Sequence, residues 1–316
     1  MAMKSKKDAI MSLTQKALLQ KLTDIEKAFK EKRTVMKENK NIQQDLFLAD
    51  EYAILNDFSQ EMTALGYPIF ALKSSKEERL YQKDGFALSI RPGLNGTPTI
   101  YDADVWVYAI SKLIKAVNKG ETIHRTIRFT AYDFLKITNR DTSKKEYERL
   151  IQSLQRLHET TLTTTHEWSK NHIKPKFLPV DVDKIARAFH FIDEYVIGRD
   201  KKTKKMDYIE ITLPNWLFEA VEKRAVLKLS PKYFLISSPL HRRLYEIARR
   251  LCGSQDKAFI SLKQLKERTG STGDLRKFRY NIKQLKDTDM PDYVFTIDEK
   301  SDIVLITPKK EATHED

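Results

Sequence analysis

The chain has 316 residues, of which 57 are Lys or Arg and 44 are Asp or Glu, a formal charge of +13. Hydrophobic residues at 41% and charged residues at 32% suit a folded protein with a wet, cationic surface and exclude a disordered or membrane-embedded chain. The single cysteine, Cys252, excludes an intramolecular disulfide framework and a cysteine-built zinc site, and no apolar run approaches the about 18 residues of a spanning helix.

The length suggests about two domains at roughly 150 residues each. The first residues, MAMKSKKDAI, carry charges and no apolar stretch, so no secretory signal is read and a reducing cytoplasm is expected. The leader as a whole, 1–44, is basic. Met11, Leu18, Leu22, Ile25, Phe29 and Met36 recur at threes and fours or their multiples, the spacing of a narrow helical stripe. It reads first as a disordered, solvated leader, with a helical dimerisation or partner-binding arm and a tail that grasps a polyanion as the functional readings.

From residue 45 the pattern is globular. FALSI (86–90) and TPTIY (97–101) flank the turn residues Asn95 and Gly96, which predicts a hairpin. A helix follows with Trp106, Ile110, Leu113, Ile114 and Val117 on one face, Asp102 or Asp104 as its cap and Gly120 after its end. Residues 123–129 alternate as a strand, with Ile127 and Phe129 on one face. Thr130 with Asp133 and Ser143 with Glu146 are spaced as two capping boxes. The second opens a helix that turns Tyr147, Leu150, Ile151, Leu154 and Leu157 inward. Strands are predicted at 160–168, 187–197 and 206–213, the last two separated by Lys201, Lys202, Lys204 and Lys205. Helix, strand, short helix, turn, helix, strand, strand is the order of a winged helix-turn-helix.

The same order returns near the C-terminus. Leu240, Leu244, Ile247, Ala248 and Leu251 mark a helix, AFISL (258–262) a strand, Ser261 and Asp274 two helix caps, and YVFTI (293–297) with IVLIT (303–307) a hairpin. A shift of 131 residues takes Phe129 to Ile260, Thr130 to Ser261, Phe134 to Leu265, Thr138 to Thr269 and Ser143 to Asp274. It also takes Tyr147 to Phe278, Ile151 to Ile282 and Leu154 to Leu285. A fixed offset through two helices and a turn indicates duplication. The expected fold is α+β, with tandem winged-helix (helix-turn-helix) domains at 45–224 and 225–316 behind the leader.

The last helix of each copy is the candidate recognition helix. The first offers Lys144, Lys145, Arg149, Gln152 and Arg156; the second offers Arg276, Lys277, Arg279, Tyr280 and Lys283. Arg forks to guanine, Gln pairs with adenine and Lys neutralises phosphate, so this set suits a major groove. Lys201 and Lys202 are candidate phosphate contacts. Double-stranded DNA is the expected partner. No G-x-x-x-x-G-K-[ST] sequence and no His-x-His pair occurs, so neither ATP hydrolysis nor a metal-dependent nicking site is read, and no cofactor is expected. Cys252 and the three tryptophans read as core.

The stretches PLHRRLYEIARRLCG (239–253) and ISLKQLKERTGSTGDLRKFR (260–279) resemble the replication initiator protein A family of bacterial plasmids. Supporting pieces are TIRFTAYDFLKITNR (126–140), YERLIQSLQRLHETTL (147–162), ITLPNWLFEAV (211–221) and VLKLSPKYF (226–234). The resemblance runs from about Asp45 to Ile306, and the stretch 169–184 has no counterpart in it. It implies a non-enzymatic initiator that binds repeated origin sequences (iterons), helps to open adjacent DNA and recruits the host initiator and replicative helicase. It also implies self-association between monomer and dimer; the composition and the lack of a long apolar run lead to no expected membrane partner. A winged-helix transcriptional repressor and a nicking, relaxase-type enzyme are the alternatives.

Overall fold

The computed structural model describes residues 46–49, 68–83, 86–167, 184–203, 206–224, 226–253, 255–285, 288 and 290–309. The expectations for the leader 1–44, Trp168, the stretch 169–184 up to residue 183, Lys204 and Lys205 lie outside the described residues. The architecture is mixed α+β, in one compact unit that begins at Asp45.

Strands β1 (Leu46–Ala49), β2 (Arg79–Lys83) and β3 (Phe86–Arg91) precede the long helix α1 (Ala103–Asn118). The hairpin expected between 86–90 and 97–101 does not form. β3 pairs instead with β2 and with β5 (Thr161–Glu167), all antiparallel, and β6 (Lys184–His190) completes a sheet of order β2-β3-β5-β6. The turn itself is present: Gly96 has φ +83° and donates its N–H to Gly93 O at 3.2 Å, but it leads into α1 and joins no two strands.

Helix α1 is buried all round from Ala103 to Ser111, which is the mark of a central helix and not of an amphipathic surface one. Trp106 lies in the first core with Phe70 and Phe191, and its Nε1 donates to Phe191 O at 3.0 Å. Val107, one residue on, belongs to the second core. Asp102 stands at the N-cap position, but its side chain makes no capping hydrogen bond. Asp102 accepts from Thr99 N at 2.7 Å, and Asp104 faces inward.

β4 (Thr126–Phe129) then buries Ile127 and Phe129 and leaves Thr126 and Arg128 outside. Helix α2 (Ala131–Ile137) is capped by Thr130, whose side chain accepts from Asp133 N at 3.1 Å. Helix α3 (Lys144–Glu159) starts after Ser143, which makes no side-chain cap. Ser143 N donates instead to Asp141 Oδ1 at 2.7 Å. The strand expected at 187–197 is two strands of different sheets. β6 ends at His190, Phe191 and Ile192 plunge into the core, and β7 (Glu194–Arg199) pairs with β8 (Met206–Thr212). With β4 these form an antiparallel sheet of order β4-β8-β7.

Helix α4 (Asn215–Glu222) and β9 (Val226–Leu229), which pairs with β1, lead to a 3₁₀ turn (Pro231–Leu235) and helix α5 (Pro239–Cys252). β10 (Ala258–Ser261), α6 (Leu262–Thr269), α7 (Leu275–Gln284), β11 (Tyr293–Asp298) and β12 (Ile303–Pro308) follow, with sheet order β10-β12-β11. Ser261 caps α6 through Gln264 N at 3.3 Å, and Asp274 caps α7 through Lys277 N at 2.7 Å. The second core gathers Leu244, Ile247, Ile260, Leu265, Phe278 and Ile282. Cys252 is packed there, where burial pushes its thiol pKa up.

The two halves repeat one topology with one difference. The strand before the short helix pairs Ile127 with Ile211 in the first half and Ala258 with Ile306 in the second. The offset is therefore 131 residues at the first strand and 95 at its partner. The shortfall is the extra chain carrying β5 and β6, placed between α3 and the hairpin β7–β8.

A buried polar network links the halves. Asp104, with no exposed surface, accepts Arg140 Nη2 at 2.7 Å from the α2–α3 turn and Arg242 Nη1 at 2.7 Å from α5. Arg242 also donates to Ile236 O at 2.7 Å, and its guanidinium lies 4.9 Å from the Tyr101 ring centre and 5.2 Å from that of Tyr233. Tyr233 Oη donates to Glu246 Oε1 at 2.6 Å, and Glu246 is paired with Arg243.

Candidate nucleic-acid interface

Helices α3 and α7 stand at equivalent places in the two halves, each behind a strand, a short capped helix and a turn. Their inner faces are apolar: Leu150, Leu154 and Leu157 in α3, Phe278 and Ile282 in α7. Their outer faces hold most of the candidate residues, but not all of these are equally available.

On α3, Lys144 and Lys145 occupy the first turn and are exposed. Lys144 Nζ is 3.8 Å from Glu148 Oε1, a loose i,i+4 pair that water screens. Lys145 has no ion pair among the described residues. Arg149 is half exposed and is ion-paired to Glu146. Gln152 is exposed. Arg156 is engaged within the fold. Its Nε and Nη2 bond Asp102 at 2.9 and 2.7 Å, and only 17% of its side chain meets solvent. A buried carboxylate thus holds the Nε–Nη2 edge of its guanidinium, and Arg156 leaves the exposed set. Ser153 donates to the same carboxylate.

On α7, Arg276 and Lys277 are exposed and carry no ion pair among the described residues. Tyr280, 62% exposed, sits one turn further along. Arg279 and Lys283 are braced. Arg279 Nε donates to Asp302 Oδ1 at 3.0 Å, and Lys283 Nζ lies 2.7 Å from Glu299 Oε1. Both acids sit in the β11–β12 loop, and Asp302 is held there at φ +54° while its O accepts from Leu262 N. The hydrogen bond to Asp302 is the main cause that raises the pKa of Arg279 above its ordinary value.

The equivalent loop of the first half, between β7 and β8, has the opposite character. Lys201 and Lys202 are both exposed. Asp200 shapes the turn, accepting from Lys202 N at 3.0 Å and from Thr203 N at 2.6 Å, and these bonds hold its carboxyl below the usual range.

The sequence offered Asp102 only as a helix cap and gave no ion-pairing role to Asp102, Glu299 or Asp302, because each meets its arginine or lysine across 16 to 54 residues of chain. It also passed over Tyr132 and Lys136. They form a cation–π pair at 5.6 Å on the outer face of α2, for which i,i+4 spacing was the available signal. Among the described residues, no group of His, Cys, Asp and Glu is placed to hold a metal ion. Likewise no described helix is long and apolar enough to cross a membrane.

Residues 59–295, well over half of the chain, match the family model for replication initiator protein A. A protein of Wigglesworthia glossinidia brevipalpis named "Putative replication protein" is 37% identical over 283 residues, covering 88% of this chain and 98% of that protein. Among solved structures, a crystal structure of domains 2 and 3 of RctB has a TM-score of 0.56 at 11% identity, covering 78% of this chain and 95% of that one. A second RctB domain 2–3 structure has a TM-score of 0.52 at 12% identity and covers 81% and 96%. The RctB likeness is one of fold, whereas the family match extends through both α3 and α7, and on it the chain belongs to the replication initiator protein A family.

Proposed function

We propose that the two repeated halves are tandem winged-helix domains, 45–224 and 225–316, that place α3 and α7 in successive major grooves of repeated sequences at a plasmid origin. The observation that carries this reading is the pair of register-matched helices with exposed first-turn cations, Lys144 and Lys145 on one and Arg276 and Lys277 on the other. The N-terminal residues of a recognition helix approach base edges first. In this reading Lys201 and Lys202 form a cationic first wing that grips phosphate, with Arg149, Gln152, Arg279, Tyr280 and Lys283 as flanking contacts. Two helices on one face of a duplex fit sites about one helical turn apart.

The chain then acts by binding, opening adjacent DNA and recruiting the host initiator and replicative helicase, with exchange between monomer and dimer, in the cytoplasm. The absence of nucleotide-binding and His-x-His sequences supports a role without catalysis. Incubation with supercoiled origin DNA and a divalent metal should therefore leave the circles intact; nicked circles would favour an enzyme.

The salt dependence of binding tests the reading directly. Six exposed cations (Lys144, Lys145, Lys201, Lys202, Arg276, Lys277) at about 0.9 per phosphate give a log–log slope near −5, and adding Arg149, Arg279 and Lys283 takes it to about −8. A slope near zero on an origin repeat would defeat the assignment. Arg276→Ala with Lys277→Ala should weaken binding to the origin repeat more than to random duplex. Equal losses would make them phosphate contacts only.

A further inference from the structure

The second half has a cleft of about 990 Å³ that none of the DNA-facing residues line. Its walls are the 3₁₀ turn, the start of α5, and the segment that runs from Thr288 into β11, closed by the end of β12 at Pro308 and Lys309. The apolar part includes Ile236, Met290 and Leu235, the last 61% exposed. Lys232 and Arg249 contribute positive charge. The only acid in the lining, Asp292, is engaged by Tyr245 Oη at 2.7 Å.

The chain itself supplies a control. In the first half the position just before the hairpin strand β7 is held by Phe191 and Ile192, both fully buried, at the end of the inserted strands. In the second half the matching position before β11 is Pro291 and Asp292, which are partly open and line the cleft. The insertion thus fills one corner of the repeated unit, and its absence leaves the other corner open.

The location favours a partner that binds while DNA is held. Tyr293 and Pro308 are at the opposite ends of β11 and β12 from the loop that braces Arg279 and Lys283. Six residues of strand at about 3.3 Å each separate the two ends by roughly 17 Å.

We propose that this cleft is a docking site for an acidic protein segment carrying an apolar anchor residue. The apolar residue seats against Leu235, Ile236 and Met290, and flanking carboxylates face Lys232 and Arg249. That the cleft stays open on DNA rests on the helix assignments above, and the two assays below can fail separately.

The test uses the full chain and a fluorescein-labelled twelve-residue peptide of Asp and Glu with two leucines, followed by anisotropy with and without saturating origin duplex. Binding should be equal in both conditions. Lys232→Glu and Leu235→Asp should each weaken it about tenfold, from charge reversal and from the lost apolar contact. Each should leave duplex affinity unchanged. A control peptide with serine for both leucines should bind at least tenfold more weakly. Equal binding of the serine peptide, displacement by duplex or by single-stranded oligo-dT, or indifference to both substitutions would overturn the proposal. So would tighter binding after removal of residues 310–316, which would make the chain's own acidic end the occupant.

Discussion

Asp104 is the residue whose loss should tell most about how the halves are held together. Its carboxylate is shared by Arg140 and Arg242, both at 2.7 Å, and the two guanidinium-bearing side chains are 15% and 5% exposed. Asp104→Ala leaves two mostly buried cations without their counter-charge. Breaking a buried pair in this way costs about 3–5 kcal/mol. Arg242 keeps its bonds to Ile236 O and Phe234 O and its contacts with Tyr101 and Tyr233, so the lower part of that range, about 3–4 kcal/mol, is expected. At about 2–4 °C per kcal/mol for a unit of this size, the melting temperature should fall by on the order of 10 °C. Asp104→Asn, which keeps the shape and loses the charge, should fall between the variant and the native protein. Urea denaturation followed by tryptophan fluorescence reads the loss, since Trp106 and Trp216 both pack in the first core. Replacing the trio together by Leu and two Met should recover most of the stability, because apolar residues of similar volume need no counter-charge. Losses under about 1 kcal/mol for both single variants would refute the view that this network holds the halves in register.

Three further outcomes follow from named contacts. Asp274→Ala should cost about 1 kcal/mol because it removes the cap on Lys277 N, whereas Ser143→Ala, at the equivalent place but without a side-chain cap, should cost only a few tenths; equal losses in denaturation would contradict the difference. Asp302→Asn should release Arg279 to phosphate and steepen the log–log salt slope by about 0.9, and an unchanged slope would show that Asp302 does not hold Arg279 away from phosphate on DNA. Burial lowers the pKa of His241 below its ordinary 6.5, so the unfolded chain binds the extra proton first as pH falls. Its contribution is complete above pH 6.5 and diminishes as pH drops from there towards the folded-state pKa; His241→Asn should flatten that part of the stability–pH curve.

Much of the fold was legible from local spacing. The caps at Thr130, Ser261 and Asp274 form within one helical turn, and the alternation of β4 and the inward residues of α3 and α7 follow the geometry of a strand and a helix wherever the rest of the chain lies. The repeated order was readable for the same reason, since it compares such local patterns at a fixed offset. Misreadings arose where a contact spans distant chain. β3 found β5 some 75 residues on in place of the segment 97–101 that follows it, and α1 proved buried all round because two cores meet on it.

The candidate interface divides along the same line. Its cationic composition came from the residue types and their positions on two helices, and that much the sequence determined by itself. Which cations are available was decided only by the tertiary structure. Asp102 takes Arg156, Asp302 and Glu299 take Arg279 and Lys283, and Arg276, Lys277, Lys144 and Lys145 are left at the surface. An ion pair needs two side chains within about 4 Å, and the folded backbone, not the interval in sequence, sets that distance.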